Sequence, residues 1–271
     1  MYHALHSPIL YLLMLSAVIA EWFWRKAVAR RGYNTSNALA SVGIGVGRAV
    51  FGILSAVVVG GVYMLASQWA PVHWSMTDWR VWVVCFVLVE FAYYWFHRLS
   101  HTVRWLWATH AVHHSPEEMT FLAAVRLGWT SLFSMGWLLY LPLIFAGFDP
   151  RMVMLLIAAD LHYQFFLHTE AISRLGPLEW VLNTPAHHRV HHGSNEQYLD
   201  CNYGGVLIIF DRMFGTLRLE NKDEPIRYGL VHPIGSHNPF VIAFAEWKNL
   251  FRDMYRAGGV KRAARIALGR P

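Results

Sequence analysis

Charge is scarce in this chain. Only 15% of its 271 residues are Asp, Glu, Lys or Arg, against about 25% in an ordinary soluble domain, and the mean hydropathy is positive. A fully water-exposed surface is hard to build from so few charges. Cysteine is nearly missing: Cys85 lies in an apolar run and Cys201 in a polar stretch, which argues against a disulfide framework and a Cys-rich zinc site. There is no Gly-rich phosphate loop and no Gly-x-Ser-x-Gly elbow, so neither nucleotide binding nor serine hydrolysis has a motif to stand on. The 23 basic residues outnumber the 17 acidic ones. They flank apolar runs instead of forming one stripe, so nucleic acid is not the expected partner.

What is present in quantity is apolar sequence, 55% of the chain. The first run, 8–24, follows a segment without a basic n-region and precedes no small-residue cleavage site, so it reads as a transmembrane helix rather than a signal peptide. Arg25, Lys26, Arg30 and Arg31 follow it as a cytoplasmic flank. A Gly-rich run over 39–70 exceeds the roughly 20 residues that cross a bilayer, and its small residues suit close helix packing. A third span over 80–96 ends in the aromatic belt Tyr93-Tyr94-Trp95-Phe96. The region 129–168 is apolar but broken by Pro142, Asp160 and His162, and is expected to be a fourth crossing or a re-entrant hairpin that brings His168 back to the side of His97. Eleven Lys and Arg lie between Arg212 and Arg270, so the tail is expected in the cytoplasm. The expectation is an all-α, integral membrane helical bundle of about four transmembrane helices in a single unit, 1–271. Its cytosolic cap, 97–128 and 169–271, would carry the histidines at the face of a bacterial inner membrane or endoplasmic reticulum.

Histidine is the anomaly, 16 in all, nearly matching Asp and Glu combined. His97 and His101 are spaced i, i+4; His110, His113 and His114 are spaced i, i+3, i+4; His188, His191 and His192 repeat that spacing behind His187. On a helix such residues share a face, so each group aims several imidazoles at one place. A lone histidine on an apolar face is more often a satisfied core residue than a ligand. Three groups on one side of a membrane are more than one tetrahedral zinc needs, and two metal ions are the economical reading. His168 closes the stripe Asp160, Gln164, His168 and is a further candidate ligand; His187, His162 and Asp160 are candidates for an extra ligand or an outer hydrogen bond. Glu90 is a carboxylate inside a span, either steering an imidazole from behind or bonding a neighbouring helix. His3, His6 and His73 are expected at solvent or interface on the other side; of His232 and His237 in the tail, only His232 carries functional interest.

Tyr93-Tyr94-Trp95-Phe96-His97-Arg98-Leu99-Ser100-His101, His110-Ala111-Val112-His113-His114 and His188-Arg189-Val190-His191-His192 resemble the three histidine boxes of the sterol desaturase and fatty acid hydroxylase superfamily. Asn202-Tyr203-Gly204, the stretch from Asp211 to Thr216, Asn183-Thr184-Pro185 and the run Gln164 to Glu170 are most similar to its alkylglycerol monooxygenase branch. The similarity covers about 80–235. It implies an enzyme that hydroxylates or desaturates a sterol, fatty acyl, ether or ornithine lipid with two iron ions, O2 and a separate electron donor, a pterin or a redox protein. Zinc is expected as a substitute in overexpressed protein. The nine ligands would be His97, His101, His110, His113, His114, His168, His188, His191 and His192, with the lipid head near Arg126, Arg189 or the tail. A divalent-metal transporter, a zinc-dependent membrane hydrolase and a bis-histidine haem protein are the competing readings.

Overall fold

The computed structural model describes residues 8–221 and 223–271, so His3 and His6 lie outside the described residues. Three helices are long and apolar enough to cross a membrane: α1 (Pro8–Ala27), α2 (Thr35–Ser67) and α3 (Trp79–Thr102). Each is bounded by local chemistry. Asn34 caps α2 by accepting from the Asn37 amide at 3.0 Å, and Asp78 caps α3 by accepting from Arg80 at 2.9 Å. With 33 residues, α2 rises about 50 Å, well beyond the roughly 30 Å hydrocarbon layer. One part of it therefore stands in the lipid, where Val50, Ile53 and Val57 are more than 60% exposed. Its other part belongs to the cap, where Ala40 and Ile44 pack on Val112 and Ile242.

The 129–168 region is the hairpin rather than a fourth continuous span. Helix α5 (Ser131–Ser134) stops at Met135, which takes φ 62. A 3₁₀ turn (Gly136–Tyr140) leads into α6 (Leu141–Phe145), and α7 (Pro150–Phe165) returns. Gly147 makes the reversal at φ 95 and lies so close to the Val72 carbonyl that a Cβ would sit 2.2 Å from it. Asp149 then caps α7, with Pro150 in its first turn. Irregular backbone is tolerated at membrane depth only when protein covers it. Tyr63, Cys85, Val89, Tyr140, Ile144 and Met152 form that cover as one core between α2, α3 and the hairpin.

The cap grows directly out of α3. Val103, extended at φ −117 and ψ 115, ends α3 and starts α4 (Arg104–His114), a one-residue break that folds one helix back toward the other. Helix α8 (Pro185–His191), helix α9 (Ile209–Phe214) and the loops between them close over the histidines. Helices α10 (Pro239–Arg256) and α11 (Val260–Leu268) pack on α4 through Ala108, Trp247, Leu250 and Ala267. The basic tail is thus partly structural, with Arg104 paired to Asp253 at 2.5 Å. Arg25 is likewise more than a solvated flank: it is 1% exposed and pairs with Glu118 at 2.5 Å and Glu170 at 3.2 Å.

Packing against a neighbour's backbone gives a direct test of this architecture. A Cβ at Gly128 would meet the Thr109 carbonyl at 2.5 Å, whereas one at Gly61 meets nothing within 4 Å. Gly128→Ala is expected to cost about 1–3 kcal/mol and Gly61→Ala less than about 0.5 kcal/mol, read as shifts of the thermal midpoint in detergent. Equal shifts would contradict the packing of α4 on the 126–130 segment.

Candidate metal centre

Four segments deliver the rings. His97 and His101 sit one turn apart at the end of α3; His110, His113 and His114 end α4; His168 follows α7; His188 and His191 lie on α8 and His192 caps it. Adjacent residues on a helix point about 100° apart, so His113 and His114 part ways, as do His191 and His192. The result is two groups. His97, His101, His110, His114 and His191 form one, and His113, His168, His188 and His192 the other, with the potential ligand atoms of each group within 4.8 Å of one another. They abut, since the His114 and His192 rings stack with centroids 4.3 Å apart. The three boxes and His168 are therefore all brought together.

Backbone carbonyls aim the rings. His97 Nδ1–H donates to Tyr203 O at 2.8 Å, His113 to Arg126 O at 3.2 Å, His168 to Gln164 O at 2.7 Å and His191 to Cys201 O at 2.8 Å. These acceptors assign the proton to Nδ1 and leave a lone pair on Nε2. His113 Nε2 and His168 Nε2 then face each other at 3.3 Å as two lone pairs. That contact is repulsive unless a cation lies between them. Protons are poor candidates: burial pushes His113 down to about 4 and His191 to about 3, and His110, His114, His188 and His192 well below their ordinary range. Nε2 of His101 and of His191 are buried without a hydrogen-bond partner. Nine neutral nitrogen donors with no carboxylate suit a first-row transition ion and not magnesium or calcium. The residues fit two such ions.

The remaining candidates fall elsewhere. Glu90 does not steer an imidazole: its Oε2 accepts from the Val206 and Leu207 amides at 2.8 and 2.9 Å. The reason is helical rise, since seven residues place it about 10 Å along the axis from His97. Asp160 belongs to neither histidine group; it accepts from Gln164 Nε2 at 2.8 Å, and Gln164 accepts from Tyr93 OH at 2.9 Å. His162 donates to its own helix at Ala158 O. His187 is buried but belongs to neither group. His73, His232 and His237 are exposed. Sequence reasoning missed Asp211, fully buried, whose carboxylate accepts from the Tyr203 and Gly204 amides and from Thr216, each at 2.7 Å. It also missed Asn202, in the left-handed region at φ 55, which ties His187 O to Arg218 O. Their only signal was the polar motif downstream of the last histidine box.

An apolar cavity of about 400 Å³ runs from His110, His113 and His168 between α2, α3 and the hairpin, walled by Phe96, Leu106, Trp137 and Tyr140. Neither Arg126 nor Arg189 lines it. Arg126 bonds Asn37, Ser41 and Ser115, and Arg189 pairs with Glu220 at 2.8 Å. Their guanidiniums are bonded within the cap, so neither borders this cavity.

Comparison with known proteins converges on the same segments. Residues 82–216 match the fatty acid hydroxylase family model. The chain is 38% identical over 238 residues to alkylglycerol monooxygenase of Xenopus tropicalis, covering 86% of this chain and 50% of that protein. It is 44% identical over 179 residues to alkylglycerol monooxygenase of Homo sapiens, covering 66% and 39%. It is 35% identical over 152 residues to ornithine lipid hydroxylase OlsE of Rhizobium tropici, covering 55% and 45%. The chain thus spans half or less of the length of these relatives. No solved structure matches it.

Neutral rings in a dry site set the direction of a pH effect. The unfolded chain takes up protons below about pH 6.5, while folded His113 and His191 resist them down to about 4 and 3. Their contribution is complete above about pH 6.5 and is lost as pH falls. The thermal midpoint of chelator-stripped protein is expected to be lower at pH 5 than at pH 7.5. An equal or higher midpoint at pH 5 would contradict neutral burial.

Proposed function

Because the chain belongs to the fatty acid hydroxylase family, we propose that it is a membrane-bound non-haem di-iron oxygenase that hydroxylates or desaturates an unactivated C–H bond of a lipid. The supporting observation is the meeting of two all-histidine groups with an apolar cavity at the junction of membrane helices and cap. His97, His101, His110, His114 and His191 would hold one ion, and His113, His168, His188 and His192 the other. Iron there would supply dioxygen activation and the one-electron chemistry that C–H cleavage requires. The protein's own share is positional. Carbonyls of Tyr203, Arg126, Gln164 and Cys201 keep Nε2 lone pairs directed inward. The cavity wall excludes water and aligns one methylene beside His110, His113 and His168. Substrates are drawn from sterol, fatty acyl, ether or ornithine lipids entering from the bilayer. Electrons come from a separate donor, a pterin or a redox protein. The basic flanks support a cytoplasmic position for the histidine face.

A zinc hydrolase would want a carboxylate base beside its metal; neither group contains one, and Asp200, 3.8 Å from His101 Nδ1, is paired with Arg270. A transporter would place its ligands on broken helices near the bilayer midplane; here most ligands belong to the cap.

The test is turnover of a membrane lipid extract by reconstituted, iron-loaded protein with isotopically labelled dioxygen and a chemical reductant. A hydroxylated or desaturated lipid is expected, any inserted oxygen atom coming from dioxygen. His113→Ala should lower the rate by more than about 100-fold, since outer-sphere changes alone cost 10–100-fold. Oxygen-independent turnover, or full turnover by His113→Ala, would refute the reading.

A further inference from the structure

One wall of the apolar cavity carries a cation with no anion to match it. Arg48 lies within α2, the most apolar of the spans, and lines the cavity with Ser131. Its hydrogen bond is to a neutral group, Nη1 donating to Ser131 Oγ at 2.6 Å, and it forms no ion pair among the described residues. An arginine inside a span is costly and marks a functional site by default. The usual escape is to snorkel toward the polar edge, which for Arg48 is the cap end of α2, where Asn37 and Ser41 meet Arg126. Arg48 goes the other way. Its Nε and guanidinium carbon lie 3.8 and 3.9 Å from the place a Cβ of Gly52 would occupy, one turn farther from the cap. Helical side chains normally lean toward the N-terminus, so the missing side chain at Gly52 makes room for a guanidinium held over the cavity.

The position of this charge along the cavity matters as much as its presence. Thr130, next to Ser131, bonds Thr109 at 2.7 Å, and Thr109 precedes His110. The Arg48–Ser131 end is thus the end nearest the histidines. Tyr63, fifteen residues after Arg48 and about 22 Å farther along α2, closes the opposite end by donating to Trp137 O at 2.6 Å.

We infer that Arg48 and Ser131 bind the anionic head, a phosphate or a carboxylate, of a single-chain amphiphile whose tail extends toward Tyr63. The carbon offered to the histidine groups then lies within a few atoms of the head and not near the tail's far end. This substrate class rests on the oxygenase reading, but its recognition step does not need turnover.

The test is equilibrium binding of hexadecyl phosphate, palmitate and hexadecanol to the full-length, metal-loaded protein in a neutral detergent. Both anions are expected to bind at least about tenfold tighter than the alcohol, the scale of one charge-assisted hydrogen bond. Arg48→Gln should abolish the difference by weakening the anions alone, and Arg48→Lys should keep part of it. Inorganic phosphate should not displace hexadecyl phosphate. Equal binding of the three probes, an equal loss for all three in a folded Arg48→Gln protein, or displacement by inorganic phosphate would each overturn the assignment. His113→Ala should retain the head preference. If that preference stands while no amphiphile is oxidised, the oxygenase reading fails and this one survives.

Discussion

Gathering nine imidazoles, eight of them buried, into two abutting groups is the constraint from which the rest of the cap follows. Desolvation keeps the rings of α4 and α8 neutral, and where both Nδ1 protons are committed to carbonyls, as in His113 and His168, the facing Nε2 lone pairs repel at short range. Each group is therefore built to accept a cation, and the arrangement needs backbone acceptors that stay put. Tyr203 O and Cys201 O come from one loop, Arg126 O from another, and Gln164 O from the end of α7. Three of these four carbonyls lie outside regular helix, where side-chain hydrogen bonds supplement a few backbone ones such as Asn202 N–H to Thr216 O and Arg126 N–H to Ala123 O.

That explains the density of buried acids and amides around the histidines. Asp211 and Glu90 each take up two amides of the 203–207 loop, so a carboxylate from α3 and one from α9 grip the same strip of backbone. Glu21 of α1 accepts from the Phe121 amide, from Tyr33 and from Thr169, one residue beyond His168. Arg25, one turn later, binds Glu118 and Glu170. Arg25 is itself buried while both carboxylates keep some solvent contact, so removing them costs less than breaking a fully buried pair, about 3–5 kcal/mol. The first membrane helix is thereby part of the metal site's support, although it contributes no ligand.

Helical periodicity made the histidine groups legible, because i, i+3 and i+4 spacing means one face whatever the tertiary context. The same logic picked out His168 through the Asp160–Gln164–His168 stripe, and Gln164 does aim that ring, through its backbone carbonyl. Periodicity cannot say which of two neighbouring rings joins which group; the division of His113 from His114 and of His191 from His192 appears only when four segments meet. It left Glu90 open between steering an imidazole and bonding a neighbouring element, and the fold gives its carboxylate to the Val206 and Leu207 amides. The hairpin was foreseeable from Pro142 and the polar residues in 129–168. Asp211, Asn202 and Glu21 were not, since their work is to hold distant backbone, and no local pattern records a distant amide. Arg48 escaped notice for a related reason: a single arginine in a Gly-rich run looks like an interface residue until its direction is known.

The claim on which everything else depends is that the two groups hold two metal ions that act together. Iron per chain, with Mössbauer spectra, measured on protein purified without oxygen from iron-supplemented cells, tests it most directly. Two irons per chain with a spin-coupled signature are expected, falling toward one in either His101→Ala or His188→Ala. No bound metal, or one tightly held ion in fully active protein, would contradict the account.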